Sequence, residues 1–282
     1  MQAFDALSWS LVTLPAGGRY DTISFAGDEN WLLQLVMMLC MLLASGNFLL
    51  YWRTGQRRRL RELAEDTEFR TFLYLVLFFG LVLSMHLWSA GVYDFGKSLR
   101  MGFFHVAAFA STTGISIDDF HTWPDFERYV LFILVFVGGC IGSSTGGLKV
   151  MRLLVLFKLA AAELRRTLHP HMVVAIKVDY VSVPVNVCGR ILNFFFLYML
   201  TFCISVLLIC LSGISVLDSM GVVASCLSSV GAAAMLTGCI ASFAVLADWV
   251  QLLCCFLMIL GRLEIFSFLI VLQSGLKDMQ KK

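Results

Sequence analysis

Three short turns in this chain place glycine beside residues that could bind a dehydrated cation. The second turn, Ser111-Thr112-Thr113-Gly114, follows the apolar run 103–110, which is too short to cross a bilayer. The third, Ser228-Ser229-Val230-Gly231, and the first, Leu14-Pro15-Ala16-Gly17-Gly18, also follow short apolar stretches. Glycine permits φ values that are closed to other residues, so such a turn can direct carbonyl and threonine oxygens at a cation. Selectivity filters use such oxygens to replace the hydration shell of an ion.

The arrangement around the turns repeats along the chain, because the order half-span, turn and full span occurs three times. A half-length helix that enters the membrane points its C-terminal, negative dipole end toward the membrane centre. Repeated units that share one orientation predict an axis along the membrane normal, as in a channel. The alternative is that each glycine-containing turn merely joins two helices.

The apolar helix after the second turn is interrupted by a run of small and polar residues. A membrane tolerates irregular backbone at depth only where it is packed in protein or lines a water-filled cavity. This run is longer than a simple helix kink needs, although a kink is the alternative interpretation. The interruption therefore predicts a pathway for a polar solute. Its residues are Gly138, Gly139, Gly142, Ser143, Ser144, Thr145, Gly146 and Gly147.

Arg262 lies inside the last apolar span. An arginine at such a depth normally faces protein or water and finds a partner. Glu264 is too near in sequence to share its helix face, so we expect the partner elsewhere. A positive charge near a cation filter would oppose passage as an electrostatic barrier. The alternative is a structural ion pair between helices.

The composition is that of a polytopic membrane protein. Of the 282 residues, 59% are hydrophobic and 14% are charged, and the mean hydropathy is +0.85. Soluble domains carry roughly 25% charged residues. The pattern predicts an all-α membrane protein with three re-entrant half-spans and five full spans, which are residues 31–51, 71–88, the helix interrupted at 138–147, 191–211 and 249–272.

The basic residues predict the orientation of the chain. The linker 53–61, the region 149–177 and the C-terminal tail are rich in lysine and arginine, so they should face the cytoplasm. Acidic patches at Asp21/Asp28/Glu29, Asp118/Asp119/Asp125 and Asp248 then face outside, where an anionic mouth would concentrate cations. The alternative is that these acids only solvate the surface.

The sequence offers little for enzymatic chemistry. The nine cysteines are scattered through apolar runs without a C-x-x-C pair, which indicates buried side chains rather than a metal site or disulfides. His169-Pro170-His171 lacks a further ligand, and His86 and His105 fit packed or hydrogen-bonded positions better than functional ones. No nucleophile elbow, zinc motif or phosphate-binding glycine motif occurs. We predict no enzymatic activity, no covalently bound cofactor and no nucleic-acid partner.

Four motifs resemble the Trk/Ktr family of potassium-uptake proteins, and in order and spacing the resemblance covers essentially the whole chain. They are Ser111-Thr112-Thr113-Gly114, Trp123-Pro124, Gly138-Gly139-Cys140-Ile141-Gly142-Ser143-Ser144-Thr145-Gly146-Gly147-Leu148-Lys149 and Gly261-Arg262-Leu263-Glu264. The resemblance implies a potassium-channel-like fold, in which four helix–pore-loop–helix repeats surround one pore and each supplies a filter strand ending in glycine. Three of those strands are implied here: Pro15-Ala16-Gly17, Thr112-Thr113-Gly114 and Ser229-Val230-Gly231.

The resemblance also implies a gate and partners. In the family the interrupted helix forms a flexible loop under the filter, which corresponds here to Gly138 through Lys149. The arginine of the G-R-L-E motif, here Arg262, projects toward the pore below the filter. The implied ion is K⁺, the implied location is the bacterial inner membrane with its lipid, and members pair as homodimers. A cytosolic ring of nucleotide-binding regulatory subunits is the implied partner of segment 159–187.

The resemblance places Met1 at the pore helix of the second repeat. We therefore expect the first repeat and the outer helix of the second in a longer coding sequence or on a second polypeptide. The expected segments are 1–52 (second-repeat pore helix, filter and inner helix), 53–69 (cytoplasmic linker), 70–158 (third repeat with the gating loop), 159–187 (cytoplasmic segment) and 188–282 (fourth repeat and tail).

Two filter strands depart from the family pattern. Pro15-Ala16 replaces the hydroxyl-bearing residues typical of the family, and Pro15 lacks an amide proton and fixes φ. The segment Val230-Gly231-Ala232-Ala233 is more apolar than usual. Both departures predict a less strict discrimination between K⁺ and Na⁺.

The leading hypothesis is an ion-conducting subunit of a bacterial potassium-uptake system. A non-conducting membrane remnant or assembly partner of such a system is the second hypothesis. A substrate transporter built from broken helices is the third.

Overall fold

The computed structural model is a mostly helical chain with one two-stranded hairpin. It describes residues 10–16, 31–58, 61–118, 123–169, 175–179, 181–231, 243, 246–268 and 270. The elements are, in chain order, α1 (Trp31–Ala44), α2 (Phe48–Arg57), α3 (Arg61–Glu65), α4 (Thr67–Ser89), α5 (Phe95–Ala110), α6 (Asp125–Phe136), α7 (Val150–Leu168), β1 (Lys177–Val178), β2 (Val181–Ser182), α8 (Val185–Cys210), α9 (Val216–Ser228) and α10 (Asp248–Leu263).

Among the described residues, two single helices are long and apolar enough to cross a membrane. They are α4, with 23 residues, and α8, with 26 residues. The pair α1 and α2 passes the same test only when both helices are counted together. Large apolar side chains are exposed along α4 and α8, including those of Leu77, Phe78, Phe196 and Leu207, as expected of helices that contact lipid.

The span predicted over residues 31–51 is not one straight helix, because the chain bends by 94° between α1 and α2. Asn47 starts the second helix: its side-chain oxygen accepts a hydrogen bond from the backbone N–H of Leu49 (2.9 Å). The carbonyl of Ser45 accepts a hydrogen bond from the backbone N–H of Cys140 (2.8 Å). The bend is therefore fixed both by a local cap and by a contact with the glycine-rich interruption.

The two half-length helices, α5 and α9, are the most buried helices of the described fold. Along α4, which packs on α5, Gly80 leaves room for the ring of Phe103, and on α5 Gly102 leaves room for the side chain of Ser84. Helix α9 packs against α6, α8 and α10. This packing buries the turns that follow α5 and α9 inside the protein.

The last predicted span, residues 249–272, is interrupted. Helix α10 ends at Leu263, Glu264 has a φ of 62°, and residues 265–268 are helical again. A positive φ is unfavourable for a residue with a side chain. Glu264 therefore marks a defined break between two helical segments and not the frayed end of one helix.

The segment 159–187, which the resemblance implies to be cytoplasmic, contains the end of a helix and a two-stranded hairpin. Helix α7 continues through residue 158 to Leu168, and the antiparallel strands β1 and β2 follow it. The turn of this hairpin is joined to the start of α4, because the backbone N–H of Thr67 donates to the Asp179 carboxylate (3.1 Å).

Candidate functional site

Each of the three glycine-containing turns has a non-glycine residue in the left-handed backbone region. The φ angles are 50° at Ala16, 55° at Thr112 and 57° at Ser229. Two residues after the second and third of these, Gly114 and Gly231 also have positive φ angles of 62° and 70°. Left-handed residues commonly end helices, so the three turns share one way of ending a half-length helix.

The second and third turns also close their helices with the same hydrogen bond. The backbone N–H of Thr113 donates to the carbonyl of Ala108 (3.0 Å), and that of Val230 donates to the carbonyl of Ser225 (3.1 Å). In both bonds the acceptor lies five residues before the donor. This shared bond aligns the two turns, so that Thr112 is equivalent to Ser229, Thr113 to Val230, and Gly114 to Gly231.

The second and third turns touch each other at Gly114. A Cβ atom at this position would overlap the backbone carbonyl oxygen of Val230. Thr113 is buried next to this contact, and its hydroxyl is hydrogen-bonded to that of Ser111 (2.9 Å). Only a residue without a side chain lets the two turns approach so closely.

The first turn is described only up to Ala16. Gly17, which the sequence places at the end of the first filter strand, lies outside the described residues, as does Gly18. Ala16 itself shares its left-handed backbone conformation with Thr112 and Ser229.

The glycine-rich interruption is a folded loop between α6 and α7. Its two ends are paired: the backbone N–H of Gly138 donates to the carbonyl of Leu148 (2.7 Å), and that of Leu148 donates to the carbonyl of Phe136 (3.0 Å). Inside the loop the backbone N–H of Gly139 donates to the hydroxyl of Thr145 (2.9 Å). These bonds give the segment a defined shape that a simple helix kink would not have.

The loop contacts all three turns. The backbone N–H of Gly146 donates to the hydroxyl of Thr112 (3.0 Å), and the hydroxyl of Ser144 donates to the carbonyl of Leu14 (2.9 Å). A Cβ atom at Gly146 would lie 2.5 Å from the carbonyl oxygen of Ser228. The loop is thus packed directly against the ends of the half-length helices.

The remaining loop residues named from the sequence shape the loop or anchor its end. Gly142 and Gly147 have positive φ angles of 79° and 70°. The hydroxyl of Ser143 donates to a carbonyl within the loop (2.6 Å). Lys149 precedes α7, and its Nζ lies 3.8 Å from the carboxylate of Glu264.

A buried carboxylate that the sequence did not single out fastens both ends of the loop. Glu68, in the first turn of α4, is 3% exposed. Its Oε1 accepts hydrogen bonds from the backbone N–H groups of Ile141 (2.7 Å) and Met151 (3.3 Å). In the sequence, only its place at the start of an apolar helix could have distinguished Glu68 from the neighbouring acids Glu62, Glu65 and Asp66.

Glu68→Ala is expected to loosen the loop. The substitution leaves two partly buried N–H groups without their acceptor, and the cost for each is at most the roughly 1–3 kcal/mol of a fully buried group. We therefore expect hydrogen exchange in peptides covering 137–151 to be roughly tenfold to a hundredfold faster, whereas Glu68→Gln, which keeps an acceptor oxygen, should have a smaller effect. The matched control is Glu65→Ala, because Glu65 is exposed and pairs with Arg61 on the same short helix. Unchanged exchange in Glu68→Ala would contradict this role.

Arg262 lies beside the first turn. Its guanidinium donates a hydrogen bond to the carbonyl of Pro15 (3.1 Å), so its partner lies away from Glu264, as the spacing predicts. Glu264 instead pairs with Arg152 (2.7 Å) and Lys149 (3.8 Å). Within the described part of the chain Arg262 has no acidic partner, which argues against the structural ion pair.

A cavity of about 420 Å³ lies between the first turn, the third turn and α10. It brings backbone and hydroxyl oxygens, which attract a cation, together with the positive charge of an arginine, which repels one. One water occupies roughly 30 Å³, so the cavity has room for a hydrated ion. Its lining residues are Pro15, Ala16, Ser225, Ser229, Gly231, Met258, Ile259 and Arg262.

Two of the histidines that the sequence singled out, His86 and His105, have structural surroundings. His86 Nδ1 lies 2.6 Å from the carboxylate of Glu127, and the ring of His105 packs against that of Trp123. His171 lies outside the described residues. Over the part of the chain that the structure describes, no group of three or more His, Cys, Asp or Glu side chains could hold a metal ion.

Comparison with known proteins gives consistent matches along the chain. The model of the TrkH family, described as cation transport protein, matches residues 16–278. The chain is 34% identical over 276 residues to the Trk system potassium uptake protein TrkG of Escherichia coli strain K12, covering 98% of this chain and 56% of that protein. It is 31% identical to TrkH of Halomonas elongata, covering 96% of this chain and 56% of that one.

A solved structure is similar as well. The crystal structure of the potassium transporter TrkH from Vibrio parahaemolyticus superposes with a TM-score of 0.88 at 30% identity, covering 96% of this chain and 58% of that one. The chain therefore spans a little over half the length of the relatives it matches.

Proposed function

Because the chain belongs to the TrkH family of cation transport proteins, we propose that it forms a potassium-uptake pathway across the cell membrane. It is a multi-pass membrane protein of a transporter family, not an enzyme. Potassium would lose its water at the oxygens of the turns, pass the loop 138–149 and Arg262, and enter the cytosol down its electrochemical gradient.

The proposal rests above all on one observation: the loop between α6 and α7 contacts all three turns. A half-length helix directs its negative C-terminal dipole end at the turn that follows it, and this favours a cation there. A loop packed against those turns is then in position to open or close the exit from them. A chance crossing of helices would not bring three turns to one loop.

The filter residues are part of the proposal. Carbonyl oxygens and threonine hydroxyls would replace the hydration shell of K⁺. The proposed filter positions are Ala16, Gly17, Thr112, Thr113, Gly114, Ser229, Val230 and Gly231.

The gate has two parts in this proposal. The loop is the movable part, because it contains glycines at both ends and is fastened to its surroundings by a few hydrogen bonds. Arg262 is the electrostatic part, because its charge lies in the cavity beside the first turn. The proposed gate residues are Gly138, Gly139, Gly142, Ser143, Ser144, Thr145, Gly146, Gly147, Lys149 and Arg262.

The finer topology and the partners belong to the same proposal. Five full spans and three re-entrant helices, divided at residues 52, 69, 158 and 187, would keep the basic segments in the cytoplasm. The segment 159–187 would dock a cytosolic nucleotide-binding regulatory subunit. The oligomer would be a homodimer.

A non-conducting assembly partner is the second candidate function. The observation that favours it is the lining of the 420 Å³ cavity, to which only the first turn, the third turn with α9, and α10 contribute among the described residues. A pathway open on its other sides would need another polypeptide to complete it. Co-purification of such a polypeptide with the chain, and flux only in its presence, would support this candidate.

The proposal predicts uptake of ⁸⁶Rb⁺ by bacterial cells whose own potassium-uptake systems have been removed and which express this chain. Excess K⁺ should suppress the uptake strongly and Na⁺ more weakly, since Na⁺ is smaller and holds its water more tightly. Cells that carry an empty vector are the control. With the chain present in the membrane, uptake no higher than in the control would contradict the proposal, and equal suppression by Na⁺ and K⁺ would contradict the potassium assignment.

A further inference from the structure

A groove of about 390 Å³ opens between the first turns of α1 and those of α5. Because the first residues of both helices line it, the two helices start at the same level of the membrane, and the groove lies near that membrane surface. Its walls are apolar except for one arginine and one glutamine. The residues that matter here are Trp31, Gln34, Leu35, Arg100, Phe103 and Phe104.

The two polar side chains of the groove each have a buried atom without a hydrogen-bond partner in the described residues. These atoms are Nε of Arg100, a donor, and Oε1 of Gln34, an acceptor. Gln34 is only 4% exposed, so bulk water does not readily donate a hydrogen bond to its Oε1. Buried polar groups are nearly always satisfied, so both atoms indicate a missing partner that offers an acceptor and a donor.

The apolar part of the groove opens toward the lipid-facing side of the protein. Trp31 is 60% exposed, and Leu35 and Leu99 are also exposed. Tryptophan at the end of a membrane helix commonly lies at the level of the lipid headgroups. A molecule with a polar head near Arg100 and a hydrocarbon tail along the groove would fit both the polar and the apolar part of the groove.

We propose that this groove binds an anionic phospholipid with a hydroxyl-bearing headgroup. The phosphate would accept the hydrogen bond of Arg100, because guanidinium groups favour phosphate oxygens. A headgroup hydroxyl would donate to Gln34, and one acyl chain would lie along the apolar wall. A choline headgroup has no hydrogen-bond donor and no net charge, so it would leave Gln34 unsatisfied. The site is separate from the turns and from the loop 138–149.

The test uses the purified chain incorporated into vesicles of equal phosphatidylglycerol and phosphatidylcholine. After extraction in mild detergent, bound lipids are quantified by mass spectrometry. One direct contact worth about 1 kcal/mol changes a binding ratio about fivefold, so we expect the contact with Arg100 to enrich phosphatidylglycerol by about that factor. Arg100→Gln should return the ratio to that of the vesicles. Lys97→Gln removes an equal charge from the same helix, but Lys97 lies over the ring of Tyr93 (4.4 Å) and outside the groove, so the enrichment should persist.

A second variant keeps Arg100 and blocks the space. Gly96 lines the groove and has no atom within 4 Å of a Cβ position, so Gly96→Phe should enter the groove and reduce both bound lipids. Lack of enrichment in the wild type, persistence of enrichment in Arg100→Gln, or unchanged lipid in Gly96→Phe would each overturn the proposal. Loss of the enrichment in excess inorganic phosphate would also overturn it, because the site would then recognise a free phosphate group and not a lipid.

Discussion

Gly114→Ala is expected to abolish discrimination between K⁺ and Na⁺ and to lower ⁸⁶Rb⁺ flux about tenfold or more. Gly114 has a φ of 62°, which costs an alanine roughly 1–2 kcal/mol. A Cβ atom there would also overlap the carbonyl oxygen of Val230, so one of the two turns must move away from the other. Since each 1.4 kcal/mol changes a rate about tenfold, a displaced carbonyl in the proposed filter is enough to remove selection.

Gly91→Ala is the matched control for this substitution. Gly91 has a similar φ of 69°, but a Cβ atom at this position would meet nothing within 4 Å. It therefore carries the same backbone strain without the contact, and we expect a lower melting temperature with unchanged flux and selectivity. Equal effects of both substitutions on selectivity, at equal amounts of folded protein, would contradict the assignment of Gly114 to the filter.

Arg262→Ala is expected to raise flux about fivefold. At about 8 Å and an effective dielectric constant near 40, a unit charge raises the energy of a passing cation by roughly 1 kcal/mol. Removing the charge from the cavity removes this barrier and also frees the carbonyl of Pro15, to which Arg262 donates. Initial rates of ⁸⁶Rb⁺ uptake in liposomes measure the effect.

Arg262→Lys separates the charge from the hydrogen bond. Lysine keeps the positive charge but lacks the planar guanidinium, so a purely electrostatic barrier predicts flux close to that of the wild type. If Arg262→Lys raises flux as much as Arg262→Ala does, the hydrogen bond to Pro15 matters and the charge does not. A decrease of flux in Arg262→Ala would show that the arginine supports the pathway instead of opposing it.

The features of the fold that depend only on the residue types of one short segment could be predicted from the sequence. The apolar run before Ser111 is too short to span, and the small residues from Gly138 to Gly147 cannot continue an apolar helix, so both the half-length helix and the interruption could be anticipated. The resemblance to the potassium-uptake family, which rests on these motifs, is confirmed by the family match. A helical, multi-pass membrane protein is confirmed as well, while the number of full spans stays a prediction.

The bend between α1 and α2 could not be predicted, because its cause is partly tertiary. Ser45-Gly46-Asn47 contains the turn signal Ser-Gly, but it lies in an apolar pattern without proline that is long enough to span. The bend is fixed where the carbonyl of Ser45 meets the backbone N–H of Cys140, almost a hundred residues away.

Glu68 and Arg100 were missed for a related reason. Both are charged residues near helix starts, where charges are usually solvated, and their sequence neighbours give no sign of burial. Glu68 accepts hydrogen bonds from two backbone N–H groups that are distant in sequence, and Arg100 lines a groove beside helix α1. Sequence periodicity indicates which face of a helix is buried, but it does not identify the polar groups from other parts of the chain that contact that face.

The most direct test of the central claim is ⁸⁶Rb⁺ uptake into liposomes that contain only the purified chain, with Arg262→Ala measured alongside. If the three turns, the loop and Arg262 form a cation pathway, uptake will exceed that of protein-free liposomes and will be faster in the variant. If a helical, correctly folded chain gives no uptake in either form, this polypeptide does not by itself form the pathway, and the account of its function is contradicted.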